Sequence, residues 1–139
     1  MGWRSHAFHA ALFASLGVSF EVLFTSLMDL PSARDWRLRG YTYLWVMPLY
    51  ASVYPLLGWL YPRLAPYPFS ARGALYTGIA FSLEFLGGLA LRAALGEAPW
   101  EAHYRGSPWT IDDLIRLDYA PACLAAGWAY ERVYRLLAG

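Results

Sequence analysis

Two glutamates stand inside otherwise apolar stretches of this chain, Glu21 between Ala7 and Met28 and Glu84 between Gly73 and Leu91. A carboxylate held among hydrocarbon costs several kcal/mol unless it is protonated, paired or hydrated, which makes it a natural acceptor for a proton or a small cation. Each glutamate belongs to a stripe of small and polar residues at four-residue spacing. The first stripe is Gly17, Glu21, Thr25 and Asp29; the second is Ala80, Glu84, Gly88 and Arg92, with Gly87 beside it. Such stripes let helices approach closely, so both carboxylates are expected to face a bundle interior. The plainer reading is that each is a protonated hydrogen-bonding group between helices.

A second group of polar residues follows. Arg92, Trp100, Glu101 and Asp118 are candidate ion- or substrate-binding residues, with Asp118 and Glu101 at the mouth of the site. Each also has an ordinary role open to it: Arg92 reaching to lipid headgroups, Trp100 anchoring at an interface, and Asp118 capping a helix. Glu101 and His103 form Glu-x-His, a weak metal signal without a second histidine close by or the Glu-x-x-His spacing of helical sites. No metal and no cofactor are therefore predicted, and no catalytic residue is assigned. His6 and His9 are expected on the opposite face. Phosphate-binding, nucleophile-elbow and haem-attachment motifs do not occur.

The elements that must position these residues are apolar segments of membrane-crossing length. Hydrophobic residues make up 58% of the chain and charged residues 15%, against about 25% charged in soluble domains. A surface that poor in charge is expected to face lipid. Aromatic residues reach 18%, which suits interfacial belts. The net charge of +1 gives no electrostatic footprint for nucleic acid. The single cysteine, Cys123, rules out a disulfide within the chain. The first apolar run is longer than the core of a secretion signal and lacks a small-x-small site after it, so it is read as a span.

The expected fold is an all-α integral membrane protein: a four-helix transmembrane bundle in one domain, residues 1–139, with a short interfacial or re-entrant segment before the last helix. The spans are predicted at about 7–28, 41–61, 73–91 and 115–137, each near the roughly 20 residues that cross a hydrocarbon core. Pro48 and Pro55 are tolerable in the second because neighbouring helices re-satisfy freed carbonyls. Ser107-Pro108 and Thr110-x-x-Asp113 are alternative starts for the last helix, and Glu131 with Arg135 forms an i, i+4 pair. The first and third spans run in the same direction, which displaces Glu21 and Glu84 towards one face by about 3–5 Å. Arginines nearly balance across the two sides, and the acids favour both termini in the cytoplasm, with the chain in the cell (inner) membrane.

Along these same residues the sequence resembles the transmembrane protein 229 proteins of animals and the bacterial CmpB-like family labelled type IV ABC-transporter permeases. The matching stretches are Phe20-Glu21-Val22-Leu23-Phe24-Thr25, Leu44-Trp45 with Leu49-Tyr50, and Leu83-Glu84-Phe85 with Gly88-Leu89-Ala90-Leu91-Arg92. Pro99-Trp100-Glu101 and Asp118-Tyr119-Ala120-Pro121 with Glu131 follow in family order. Trp100-Glu101-Ala102-His103 stands where the family usually has Trp-Asp-Tyr-Ser, and Asp118 where it often has Glu. The resemblance implies a small polytopic membrane protein.

Three functions fit this reading. The first is a transporter- or channel-like component in which Glu21 and Glu84 bind a cation or proton; four short helices leave little room for a pore, so it calls for a homo-oligomer or a partner membrane subunit. The second is a membrane enzyme acting on a lipid or isoprenoid substrate, with Glu21 or Glu84 as acid/base and Arg92 holding an anionic headgroup. The third is a structural subunit of a larger membrane complex. The lipid bilayer is the common partner, and nucleic acid is not one.

Overall fold

A computed structural model describes residues 2–139, the side chain of Ala33 excepted. Helices dominate: α1 (Trp3–Ala33), α2 (Met47–Leu64), α3 (Phe69–Leu95), the short α4 (Glu101–Tyr104) and α5 (Ala120–Ala138), with single 3-10 turns at Leu44–Val46 and Leu117–Tyr119. One antiparallel hairpin, β1 (Thr110–Ile111) with β2 (Ile115–Arg116), pairs Thr110 with Arg116 and Ile111 with Ile115. Two of these helices, α1 and α3, are long and apolar enough to cross a membrane. The chain divides into two compact units, one ending at Leu57 and the other beginning at Gly58.

In the first unit α1 runs for 31 residues and stops where Arg34 turns left-handed, its N–H closing on the Leu30 carbonyl. Asp35 then folds the chain back, accepting from the Arg37 N–H and from the guanidinium of Arg39 at 2.6 Å. The return strand lies hard against the helix. A Cβ on Gly40 would sit 2.0 Å from the Val22 carbonyl oxygen, so only glycine allows this approach. Thr25 pins the next residue from both sides: its hydroxyl donates to the Tyr41 carbonyl at 3.0 Å and accepts from the Tyr41 N–H at 2.9 Å. The core of the unit is Phe13, Ala14, Val46, Tyr54 and Leu57.

The second unit is built on α3 against α5. Gly73 and Gly127 make room for the opposing Trp128 and Tyr76, and Phe69 stacks on Trp128 at 3.9 Å between centroids. The chain beyond α3 turns at Gly96 (φ 89°) and then folds as α4 and the hairpin. Leu114, fully buried, fills the space over Gly88, and the Trp100 indole donates to the Leu114 carbonyl at 2.9 Å.

Two local expectations fail here. The last helix begins at Ala120, after Ser107, Thr110 and position 115. Thr110 does not cap a helix; its hydroxyl donates to the Ile115 carbonyl across the hairpin, whose turn carries Asp112 and Asp113 at positive φ. Short polar side chains tolerate that conformation, so the residues that read as a capping signal serve a turn. The expected Glu131–Arg135 pair also fails: Glu131 makes its ion pair with Arg72 instead, because α3 starts early enough to place Arg72 one turn inside it, opposite α5.

Replacing Leu114 with Ala removes a fully buried side chain and is expected to destabilise the second unit by about 3 kcal/mol. Gly88→Ala, whose Cβ would meet Leu114 at 2.7 Å, should cost clearly less in the Leu114→Ala background than alone. Thermal unfolding of the four chains of this double-mutant cycle measures both.

Candidate functional site

Glu21 lies at the middle of α1, half-buried, in the stripe that the sequence marks as inward: Gly17 is buried, Thr25 half-buried, and only Asp29, near the helix end, is exposed. The return strand and α2 bring it two hydroxyls. Thr42 Oγ1 and Tyr50 Oη both donate to Glu21 Oε2, each at 3.0 Å. Its other oxygen, Oε1, accepts no hydrogen bond, and no guanidinium lies within ion-pair distance among the described residues. The carboxylate is thus anchored on one side by neutral donors and open on the other.

Glu84, in the second unit, occupies the equivalent place on α3, with Ala80 half-buried and Gly88 buried along its face. The Tyr104 hydroxyl donates to Glu84 Oε1 at 2.5 Å. Tyr104 closes α4 and meets Tyr119 edge-on at 5.8 Å.

The remaining candidates form a clamp at the end of α3. Arg92 donates from Nε to Glu101 Oε1 and from Nη1 to Asp112 Oδ2, both at 2.7 Å, and from Nη2 to the Asp112 carbonyl at 2.6 Å. Glu101 Oε1 also accepts the Ala98 N–H at 2.8 Å. One arginine thereby ties α3, α4 and the hairpin turn together, and its donors are spent on protein. The Arg92 guanidinium and, next, the Ala98 N–H hold the Glu101 carboxyl below the usual glutamate range. Asp118 is taken by Arg116, Nη2 to Oδ2 at 2.5 Å. Trp100 is buried in the packing described above, and His103 lies on the exposed side of α4. Among the described residues no group of three or more His, Cys, Asp or Glu side chains is placed to hold a metal.

A further carboxylate site went unmarked by sequence reasoning. Glu131, buried in α5, receives both Nε and Nη2 of Arg72 at 2.9 Å and the Tyr76 hydroxyl at 2.7 Å. The partners Thr42, Tyr50, Tyr104, Asp112, Arg72 and Tyr76 were all missed. The one available signal was negative: the second apolar segment holds no charged residue, so only hydroxyls there can meet an acid.

Compared with known proteins, the chain matches no family model, no curated protein and no solved structure.

The depressed Glu101 carboxyl carries a pH consequence. Its folded-state value lies below the unfolded one, so the clamp's contribution is complete above the ordinary glutamate value of about 4.3 and is lost as pH falls through the folded value. Melting temperature measured from about pH 6 down to about pH 3 should fall more steeply for the natural chain than for Glu101→Gln, whose amide cannot take up that proton.

Proposed function

We propose that this chain is a multi-pass protein of the cell (inner) membrane, a four-helix bundle with both termini in the cytoplasm, acting as a transporter- or channel-like component whose carboxylates bind a proton or small cation. The most apolar windows of α1 and α3 have mean hydropathies of 1.7 and 1.5, yet only 22% and 11% of them is buried inside the protein. A core helix of a soluble domain hides most of its apolar surface, so exposure of this kind favours lipid as the missing neighbour. The shorter α2 and α5, of 18 and 19 residues, extend about 27–28 Å, close to the hydrocarbon thickness. The resemblance to the transmembrane protein 229 and CmpB-like proteins supports the polytopic part of the reading.

One observation carries the functional part: Glu21 is held by two hydroxyls and, among the described residues, by no cation. Glu101 and Glu131, clamped by arginines, have no charge left to neutralise. Glu21 does. Its open oxygen can take a proton or a small cation, and the Thr42 and Tyr50 oxygens offer lone pairs to the same guest. Glu84, held by Tyr104, is the corresponding group of the second unit. Room for a pathway comes from a homo-oligomer or a partner membrane subunit.

Proteoliposomes carrying the purified chain and a pH-sensitive or cation-sensitive dye test the reading. Glu21→Gln should abolish flux. Thr42→Val and Tyr50→Phe, which remove one donor each, should lower it by about tenfold at most. Flux that is independent of pH and unchanged in both Glu21→Gln and Glu84→Gln would sink the proposal.

A further inference from the structure

Near the start of α1 two histidines converge on one phenol. His6 and His9, one helical turn apart, share a face of α1. The Tyr54 hydroxyl lies 2.9 Å from His9 Nδ1 and 3.3 Å from His6 Nδ1. The rings are packed to match: His9 meets Tyr54 edge-on at 5.0 Å, His6 lies 6.0 Å away, and Phe13 closes the inner side at 5.6 Å. His6 is exposed, whereas His9 is 8% exposed and Tyr54 9%. The charged side chain of this unit nearest along α1 is Arg4, whose guanidinium lies over Trp3; the segment of α2 up to Leu57 carries no charged residue, and the first acid of α1 is Glu21, three turns further on.

Hydrogen counting decides what this arrangement can do. A phenol has one proton and donates to only one of the two nitrogens. The other imidazole must therefore carry its proton on Nδ1 and donate to the phenol oxygen. We propose that His6, Tyr54 and His9 form a proton relay from the protein surface to a buried imidazole, and that the ion taken up by this unit is a proton. The inference rests on the proton-or-cation reading above and narrows it.

The step balances as follows. A proton binds His6 at Nε2, giving an imidazolium whose Nδ1–H already points at Tyr54 Oη. That Nδ1–H bond breaks as an O–H bond forms on Tyr54, while the phenol's own proton passes to His9 Nδ1. His6 is left neutral as its Nε2–H tautomer, Tyr54 is again a neutral phenol, and the positive charge now sits on His9. Nothing is oxidised or reduced, and the reverse transfers restore the start. Histidine suits the task because its proton is exchanged near neutral pH. The position along the helix suits it too. The 30 apolar-helix residues from Trp3 span about 45 Å, some 15 Å more than a hydrocarbon core, which leaves His6 just outside the hydrocarbon boundary and His9 at it when the helix is centred.

The test is nitrogen-15 NMR of histidine-labelled full-length protein in lipid nanodiscs near neutral pH, following proton exchange at each imidazole, with His103 as internal reference. In the natural chain His9, although buried, should exchange its imidazole proton with solvent through Tyr54 and His6. Tyr54→Phe, which removes a single oxygen, should slow proton exchange at His9 by about tenfold or more. His6→Asn, at an exposed position and with a side-chain nitrogen in place of Nδ1, should slow His9 exchange equally while exchange at His103 is unchanged. Unchanged His9 exchange in both variants overturns the relay. A relay confirmed by these signals in a chain that shows no flux in proteoliposomes leaves the relay standing and removes the transport reading alone.

Discussion

Ionised side chains removed from water must find partners, and which partners they find divides the acids of this chain into two kinds. Glu101 and Glu131 are met by arginines at 2.7 and 2.9 Å, and the pairs serve as fasteners: one ties the loop after α3 to its helix, the other joins α3 to α5. Charge is cancelled on the spot, and the donors of each guanidinium are committed to the fold. Glu21 is met by hydroxyls. A hydroxyl stabilises a carboxylate by orientation without cancelling its charge, so the group keeps its capacity for a proton or cation.

This difference in partner follows from the elements. Arg72 and Arg92 stand at opposite ends of α3, where a long side chain reaches across to the next element. The middle of α1 faces the return strand and α2, from which threonine and tyrosine hydroxyls, and no arginine, reach Glu21. The approach of that strand depends on Gly40, because any Cβ there would collide with the α1 backbone. Without the close approach, Thr42 would not reach Glu21, and Thr25 would lose its two bonds to Tyr41. A backbone requirement at one glycine, packed against the residue next to Glu21, thus sets the polarity of the site.

The tyrosines give the two units a common chemistry. Tyr50 and Tyr104 each hold a carboxylate, Tyr76 completes the Arg72–Glu131 pair, and Tyr54 bridges two histidines. In apolar surroundings a phenol combines a large ring for packing with one hydroxyl that both donates and accepts, which makes it a suitable partner wherever a charged residue would be too costly.

The sequence by itself determined the long apolar helices, since length and hydropathy are local properties, and it singled out Glu21 and Glu84, since an acid in a 20-residue apolar run is visible without any coordinates. Helical spacing also determined the inward side of each stripe, where Gly17 and Gly88 are buried. Tertiary structure decided the partners. Arg72 lies 59 residues from Glu131, and Tyr50 lies 29 from Glu21; no periodicity reports a contact made by chain reversal. It also decided how the segment before α5 folds. Ser107, Thr110 and Asp113 suit a helix start and a tight turn equally well, and burial of Leu114 over Gly88, with Trp100 bonded to its carbonyl, selects the turn. Local propensities there are nearly balanced, so packing settles them.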